Sequence, residues 1–466
     1  MTPAHKTSAI LLLAALVAGG TALLSPMTPG PITPVPPSSG NSAEHPSGLR
    51  VTTHMQSSHL LLGTHETHMA VTIEAPIGNR TVLRPPVDVA IVIDRSGSMS
   101  GDKLRHAKRA ARQLIDQLQP GDRVAVVAYG SDVDIVLSST PVTHGAKSSA
   151  YRAIDSIYAD GGTNLSGGLL TGTDEIARNL DASAGTVNRI VLISDGLANE
   201  GVINRDQLAA MAAETAARGI SITTVGVGLD FDEQTMASIA VNGHGNYYFA
   251  ESSAALADLF RDELDKLSAT TATRVRLALT PAPGIEILEA YGYPMERMGR
   301  QVLVPIADLH ANELRKVVLR VQIDSAALGH KEIAAVDLSF LPSDSHSPQT
   351  LQVSASAEVT GEQATVIAGR NRDAIRHIER ARTAWAIDEA TRHYESGDAS
   401  AAIQIIQARR QEAHSMAEST GDMDLAGELD DIADGVYKEI NAAPASSPDA
   451  NRVRKKNRAA AFELIR

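Results

Sequence analysis

The sequence predicts an α/β protein built around a doubly wound parallel sheet, and three observations carry that reading. From Val87 to about Lys266, apolar runs of strand length alternate with segments of helical periodicity. Residues 274 to 360 return to strand-like runs with no helices between them, and residues 369 to 442 read as helical. The length of 466 residues, at roughly 150 per domain, accommodates about three structural units.

Composition narrows the function classes. Apolar residues make up 43% and charged residues 21%, which is ordinary globular usage, while aromatics at 3% with a single Trp require an aliphatic core. Stacking platforms for single-stranded nucleic acid are therefore scarce. The balance of 42 basic and 55 acidic residues, a formal charge of -13, disfavours phosphate neutralisation and excludes nucleic acid as a partner. With no Cys, disulfides, thiolate metal sites and cysteine nucleophiles are excluded too, which fits either redox compartment.

The elements follow in order. Lys6 precedes the uncharged run Ala9 to Leu24, the layout of a secretory signal, so residues 1–24 are read as a signal peptide or an uncleaved anchor. Residues 25–48 are rich in Pro, Gly and Ser and read as a linker. Residues 49–86 suggest two strands, with Gly63 and Thr64 as turn material, too few to fold alone. They are expected to be the first part of an antiparallel sandwich whose remainder is residues 268–360, so that the α/β domain of residues 87–267 is inserted in or flanked by it. Its expected strands are VDVAIVID, RVAVVAYG, VDIVLSS, NRIVLISD, ISITTVGVG and GNYYFA. The expected helices cover Lys103 to Leu118, Ser148 to Ile157, Leu165 to Asn179, Arg205 to Arg218, Asp232 to Val241 and Ser252 to Leu267. Residues 369–442, broken at Ser396-Gly397-Asp398 and Thr420-Gly421-Asp422, suggest a three-helix packing element. Residues 443–466, with six Lys or Arg in the last sixteen positions, read as a flexible basic tail.

The chemistry concentrates in the α/β domain. Its first strand ends in Asp94-Arg95-Ser96-Gly97-Ser98, and in an open parallel sheet ligands bind at the carboxyl ends of strands. A carboxylate and two hydroxyls at i, i+2 and i+4 on a tight turn present three hard oxygens, which select Mg²⁺, Mn²⁺ or Ca²⁺ over softer metals. Asp195 ends the strand RIVLIS, and Thr163 lies in the Gly-rich loop Asp160-Gly161-Gly162-Thr163-Asn164. If the first and fourth strands are neighbours, Asp94, Ser96, Ser98, Thr163 and Asp195 face one crevice. Helix-start capping explains Ser96 and Ser98 alone and leaves the Thr163 loop without a reason. Ser131, in the loop after the second strand, falls outside this set.

At these residues the chain resembles the von Willebrand factor A family, whose metal-ion-dependent adhesion site is written Asp-x-Ser-x-Ser with a distant Thr and Asp. The likeness covers about 180 residues, and all five positions match. It implies a Rossmann-like sheet of order 3-2-1-4-5-6, a short antiparallel third strand and a Mg²⁺-preferring site. Ser96, Ser98 and Thr163 would then offer hydroxyls, while Asp94 and Asp195 act directly or through water.

Other signals are weaker. His65-Glu66-Thr67-His68 lacks the one-turn His spacing of a zinc protease helix and reads as a solvated face or hairpin tip. The acidic run Asp422, Asp424, Glu428, Asp430 and Asp431 lacks the ligand alternation of a calcium hand and reads as a charged helix start. No Walker sequence and no GxSxG elbow occurs.

The expected function is that of a non-enzymatic, exported adhesion or scaffold protein, located in a periplasm, on a cell surface or membrane-anchored outside the cytoplasm. Its Mg²⁺-dependent site would take a protein ligand presenting an Asp or Glu carboxylate, and membrane contact would arise only if residues 1–24 stay uncleaved. One alternative is a membrane-anchored regulator of a channel or assembly complex. Another is a Mg²⁺-dependent hydrolase, which is weakened because Ser96 stands where a phosphatase-type site normally has its second Asp.

Overall fold

The computed structural model describes residues 40–77, 84–180, 186–195, 197–228, 231–250, 266, 269–306, 308–345, 347–447 and 449–465. The signal segment of residues 1–24 lies outside the described residues, as does almost all of the expected helix at 252–267.

Before the α/β domain come β1 (Asn41–Glu44), β2 (Arg50–Met55), β3 (His59–Leu61) and β4 (Gly63–Glu74). Within the domain follow β5 (Val87–Asp94), α1 (Asp102–Gln117), β6 (Arg123–Tyr129), β7 (Val133–Pro141), α2 (His144–Asp155), α3 (Leu165–Ala177), β8 (Val187–Ser194), α4 (Arg205–Ala217), β9 (Ile220–Val227), α5 (Glu233–Asn242) and β10 (His244–Ala250). Its sheet runs β7-β6-β5-β8-β9-β10, all parallel except β7 against β6. This is the 3-2-1-4-5-6 order that the sequence resemblance implies.

Alternation along β5 fills both faces of that sheet. Val87, Val89, Ile91 and Ile93 pack with α1 and α2, while Ala90 and Val92 pack with α3, α4 and α5. Every residue of β5, β8 and β9 is buried, as a two-sided parallel sheet requires. Helix α3 lies close because Gly168 and Gly172 face the sheet; a Cβ on either would come within 2.6 Å of Tyr129 or Val92. Helix α2 begins earlier than expected because Thr143 caps it, its hydroxyl accepting from Ala146 N.

After the domain come β11 (Thr270–Pro281), β12 (Ile285–Ala290), β13 (Glu296–Met298), β14 (Gln301–Pro305), β15 (Leu309–His310), β16 (Leu314–Ser325), β17 (Gly329–Pro342) and β18 (Gln349–Thr360). The α/β domain is inserted. Strands from both sides of it build one sheet of order β1-β2-β4-β16-β12 and another of order β13-β14-β11-β17-β18-β3. One aliphatic core joins the two, with Met69, Val71, Ile73, Leu319 and Val321 from the first and Leu277, Leu279, Val336 and Leu338 from the second.

Several details differ from the sequence reading. Part of the expected linker is strand β1, which pairs with β2 from Asn41↔Thr53 to Glu44↔Arg50. Gly63 and Thr64 are not a hairpin turn. They start β4, which pairs with β16 over its whole length, while β3 crosses to the other sheet beside β18. His68 is no solvated tip: it hydrogen-bonds Gln56 and the Tyr291 hydroxyl.

The chain ends in α6 (Gln363–Ala368), α7 (Arg372–Glu395), α8 (Ala399–Thr420), α9 (Met423–Ala442) and α10 (Ala450–Ile465). Both expected breaks occur, and Asp422 caps α9 while pairing with Arg372 and Arg376. Helix α7 lays Ala374, Ile378 and Ala381 over Ala70 and Val318, the outer face of the first sandwich sheet. The supposed flexible tail is α10. Its Lys455, 1% exposed, donates to Phe231 O (2.6 Å) and Glu233 (2.9 Å) of the α/β domain.

Burial lowers the pKa of His68 to about 3 and of His244 and His377 to about 4. The unfolded chain takes up these protons first, near 6.5, so their contribution to stability is complete above that pH and is lost as pH falls toward 3 to 4. Each contributes a slope of up to about 1.4 kcal/mol per pH unit. Urea unfolding between pH 7 and 5 is expected to show falling stability, with a shallower fall in His68→Gln.

Candidate functional site

The site is assembled by strand register. Strands β5 and β8 run parallel with Ile93 beside Ile193, so Asp94 and Asp195 leave the sheet next to each other at its carboxyl edge. Both carboxylates are 0% exposed. Asp94 Oδ1 accepts from Ser96 N at 2.8 Å and Oδ2 from the Ser194 hydroxyl at 2.7 Å. Asp195 Oδ1 accepts from the Ser98 hydroxyl at 2.8 Å, and the Ser96 and Ser98 hydroxyls lie 3.1 Å apart. Four of the five residues singled out in the sequence thus share one hydrogen-bonded network.

A single 3₁₀ turn, Gly97–Met99, fixes the two serines, anchored by the fully buried side chain of Met99. The Gly-rich loop is tied to this turn through Gly97 N to Gly161 O (3.0 Å) and Asp160 N to Arg95 O (2.7 Å). Gly161 has φ +76°, and a Cβ there would come within 2.8 Å of the Ser131 hydroxyl, so the crossing requires glycine. Thr163 follows, 3% exposed. Its N–H donates to Asn199 Oδ1 (2.8 Å) and its carbonyl accepts from Asn199 N and Glu200 N. No hydrogen bond of its hydroxyl occurs among the described residues, and none joins it directly to the other four.

Burial raises the Asp94 pKa, with the neighbouring Asp195 charge adding to it and the Ser96 and Ser194 hydrogen bonds opposing it. Among the described residues, the ammonium that meets these two carboxylates is that of Lys103, 2.6 Å from Asp195 Oδ2. Arg95 is turned elsewhere, to Asp134. The crevice therefore gathers hard oxygens around excess negative charge. Among the described residues no cluster of three or more His, Cys, Asp or Glu is placed to hold a metal, so a cation here depends on the hydroxyls as much as on the carboxylates.

Sequence reasoning missed Lys103, Ser131, Ser194, Asn199 and Glu200. Ser131, set aside in the sequence, accepts from Gly162 N (2.8 Å) and donates to Glu200 (2.7 Å), so it clamps the Thr163 loop. Ser194 and Lys103 had legible positions, before a strand-end Asp and in the first turn of the helix after the motif. The residues that meet across loops had no such signal.

A doubly wound sheet with hydroxyls and carboxylates converging at its carboxyl edge defines an α/β domain of the open-sheet class. Residues 88–262 match the von Willebrand factor type A domain, and this part of the chain belongs to that family. The chain is 26% identical over 267 residues to the uncharacterized protein sll0103 of Synechocystis sp., covering 55% of this chain and 62% of that one. It is 30% identical over 194 residues to YfbK of Escherichia coli, covering 41% of this chain and 33% of that one. The chain therefore spans less than two thirds of the length of these relatives. Among solved structures, von Willebrand factor type A from Catenulispora acidiphila superimposes with a TM-score of 0.65 at 21% identity, covering 84% of this chain and 90% of that one, which shows the shared fold.

Ser131→Ala is expected to lower stability by about 1–2 kcal/mol. Hydrogen exchange should speed up at the Gly162 amide and stay unchanged at Gly97, whose partner is a backbone carbonyl.

Proposed function

We propose that the chain is an exported adhesion or scaffold protein that binds a protein ligand through a Mg²⁺-dependent site on its von Willebrand factor A domain. The observation that carries this reading is the shared network of Asp94, Ser96, Ser98 and Asp195, with the Gly-rich loop that carries Thr163 tied to the same turn by backbone hydrogen bonds. Ser96, Ser98 and Thr163 would hold the ion through their hydroxyls, with Asp94 and Asp195 bound directly or through water. Mn²⁺ or Ca²⁺ would suit the same oxygens. When bound, Mg²⁺ supplies an electrophilic position that an Asp or Glu carboxylate of the partner completes.

Nothing in this arrangement calls for turnover. Asp94 is held by Ser96 and Ser194 and Asp195 by Ser98 and Lys103, so both carboxylates are restrained as charge and hydrogen-bond acceptors. None of the described helices is long and apolar enough to cross a membrane. Export rests on residues 1–24, whose apolar run Ala9 to Leu24 also supports the reading of a membrane-anchored regulator.

Two measurements test the site. Thermal melts with millimolar Mg²⁺ or with EDTA are expected to differ for the wild type and to coincide for Asp94→Ala, because a ligand of the native state alone raises its stability. Immobilised peptides ending in Asp or Glu should retain the wild type in Mg²⁺, lose it in EDTA and fail to retain Ser96→Ala. Equal retention in all conditions would sink the adhesion reading, and metal-dependent phosphoester turnover would favour a hydrolase.

Lys103 adds a prediction with a definite sign. Its ammonium holds the Asp195 oxygen opposite the one bonded to Ser98 and repels an incoming dication. Lys103→Met is therefore expected to tighten Mg²⁺ binding by calorimetry, on the order of tenfold, while lowering stability in EDTA, where Asp195 loses a partner.

A further inference from the structure

A cavity of about 360 Å³ lies where the first sandwich sheet meets α7, α9 and α10. Its charged side chains are Lys316 of β16, Arg380 of α7, Glu428 of α9 and Glu463 of α10. Strand and helix periodicity bring them together. Lys316 has the parity of Val318, which packs under α7, so it too leaves the outer face of the sheet. Glu428 and Ile432 stand one turn apart on α9, and Ala460 and Leu464 one turn apart on α10 with Glu463 beside them, so each helix offers the cavity a single face. None of these residues belongs to the carboxylate site of the α/β domain.

Two of the four charges cancel, because Arg380 donates to Glu428 at 2.6 Å. Lys316 is left over. Its side chain is half-buried, and its ammonium feels the repulsion of Arg380 and the attraction of Glu428, yet it forms no hydrogen bond or ion pair among the described residues. Burial lowers its pKa, with Arg380 adding to that and Glu428 opposing it. The buried Nε of Arg380 is also unpartnered, so donors are in excess on the wall formed by β16 and α7. His377 of α7 adds no charge there, since burial and the charges of Lys316 and Arg380 lower its pKa to about 4. Glu463 is the opposite case: an exposed carboxylate on α10 that has no partner among the described residues. The remaining walls, Ile432 and Leu464, are half-buried aliphatic side chains.

One leftover cation and one leftover anion on different elements, with aliphatic side chains on the same walls, match one ligand chemistry. We infer that this cavity binds a free α-amino acid with an aliphatic side chain, its carboxylate paired with Lys316, its ammonium with Glu463 and its side chain against Ile432 and Leu464. A simple anion would meet Lys316 and face the charge of Glu463, and a simple cation would do the reverse; a zwitterion satisfies both. The volume suits a ligand of this size, since small-molecule sites begin at about 300 Å³. The carboxylate contact is the stronger of the two, because Lys316 is half-buried and Glu463 is exposed.

Leucine, isocaproate and isopentylamine are the probes, one carbon skeleton carrying both charges, the carboxylate alone or the ammonium alone. Saturation-transfer NMR on the full chain, in EDTA so that no probe is drawn to a metal, gives their dissociation constants. Isopentylamine is expected to bind about tenfold more weakly than leucine, the least that a hydrogen bond between charged groups contributes. Isocaproate should bind about three- to fivefold more weakly, as an exposed ion pair implies. Lys316→Met should weaken leucine and isocaproate and spare isopentylamine. Glu463→Gln should weaken leucine and isopentylamine and spare isocaproate, while far-ultraviolet dichroism shows both variants folded. No saturation transfer to leucine would overturn the proposal, as would leucine binding that neither substitution weakens. Isocaproate binding as tightly as leucine would overturn the ammonium contact and with it the amino acid. None of these results bears on the carboxylate site, which the metal melts test separately.

Discussion

Two carboxylates without access to water stand side by side at the ends of neighbouring parallel strands, and the surroundings of Asp94 and Asp195 are shaped by that fact. Taking like charges into a low-dielectric interior is costly unless each oxygen finds a donor. The strand that carries Asp195 supplies Ser194 to Asp94, the 3₁₀ turn supplies Ser96 N and Ser98, and the following helix supplies Lys103. The Gly-rich loop then crosses over this turn by backbone bonds alone. It adds a hydroxyl that the network leaves unbonded. The construction that steadies the strand ends is thus the one on which the proposed cation site would rest.

The second constraint is the insertion. Strands β4 and β16 are adjacent along twelve paired positions, although the whole α/β domain separates them in sequence. The chain must therefore leave and rejoin the sandwich at one place, which holds the domain by both ends. A buried ion pair reinforces the junction: Arg189 of β8 reaches Asp308 at 3.2 Å, and Ser221 donates to the same carboxylate. Removing one partner of such a pair leaves an uncompensated buried charge.

How much of this was legible depends on whether the signal is local. The alternation of β5 and the runs of β8 and β9 are visible because each strand buries both faces, and the position of Asp94 and Asp195 at strand ends follows from the same runs. Asp94 and Asp195, with the Ser96 and Ser98 turn that follows the first strand, could be placed together in the sequence for that reason. The course of Gly63 and Thr64 was not, because turn composition marks a break in chain direction without saying which sheet the next strand joins. The basic C-terminus misled for a different reason. Its charges look solvated in sequence, yet Lys455 is spent on Glu233 and Phe231 O, Lys456 on Glu439 and Arg458 on Glu395, partners 17 to 224 residues away. Ser131 and Glu200 were invisible likewise, since a bond between two loop tips leaves no periodicity.

Helix α10 brings the separate parts into one packing unit. On one side Ala460 and Glu463 wall the cavity, and on the other Lys455 grips the segment entering α5, with its ammonium 3.6 Å from the Phe231 ring centroid. At the carboxyl end of β9, a Cβ on Gly228 would come within 3.2 Å of the Lys103 side chain. Lys103 in turn holds Asp195. The element that looked most dispensable in the sequence is thus the one that ties the C-terminal helices to the α/β domain, through Lys455 and Glu233.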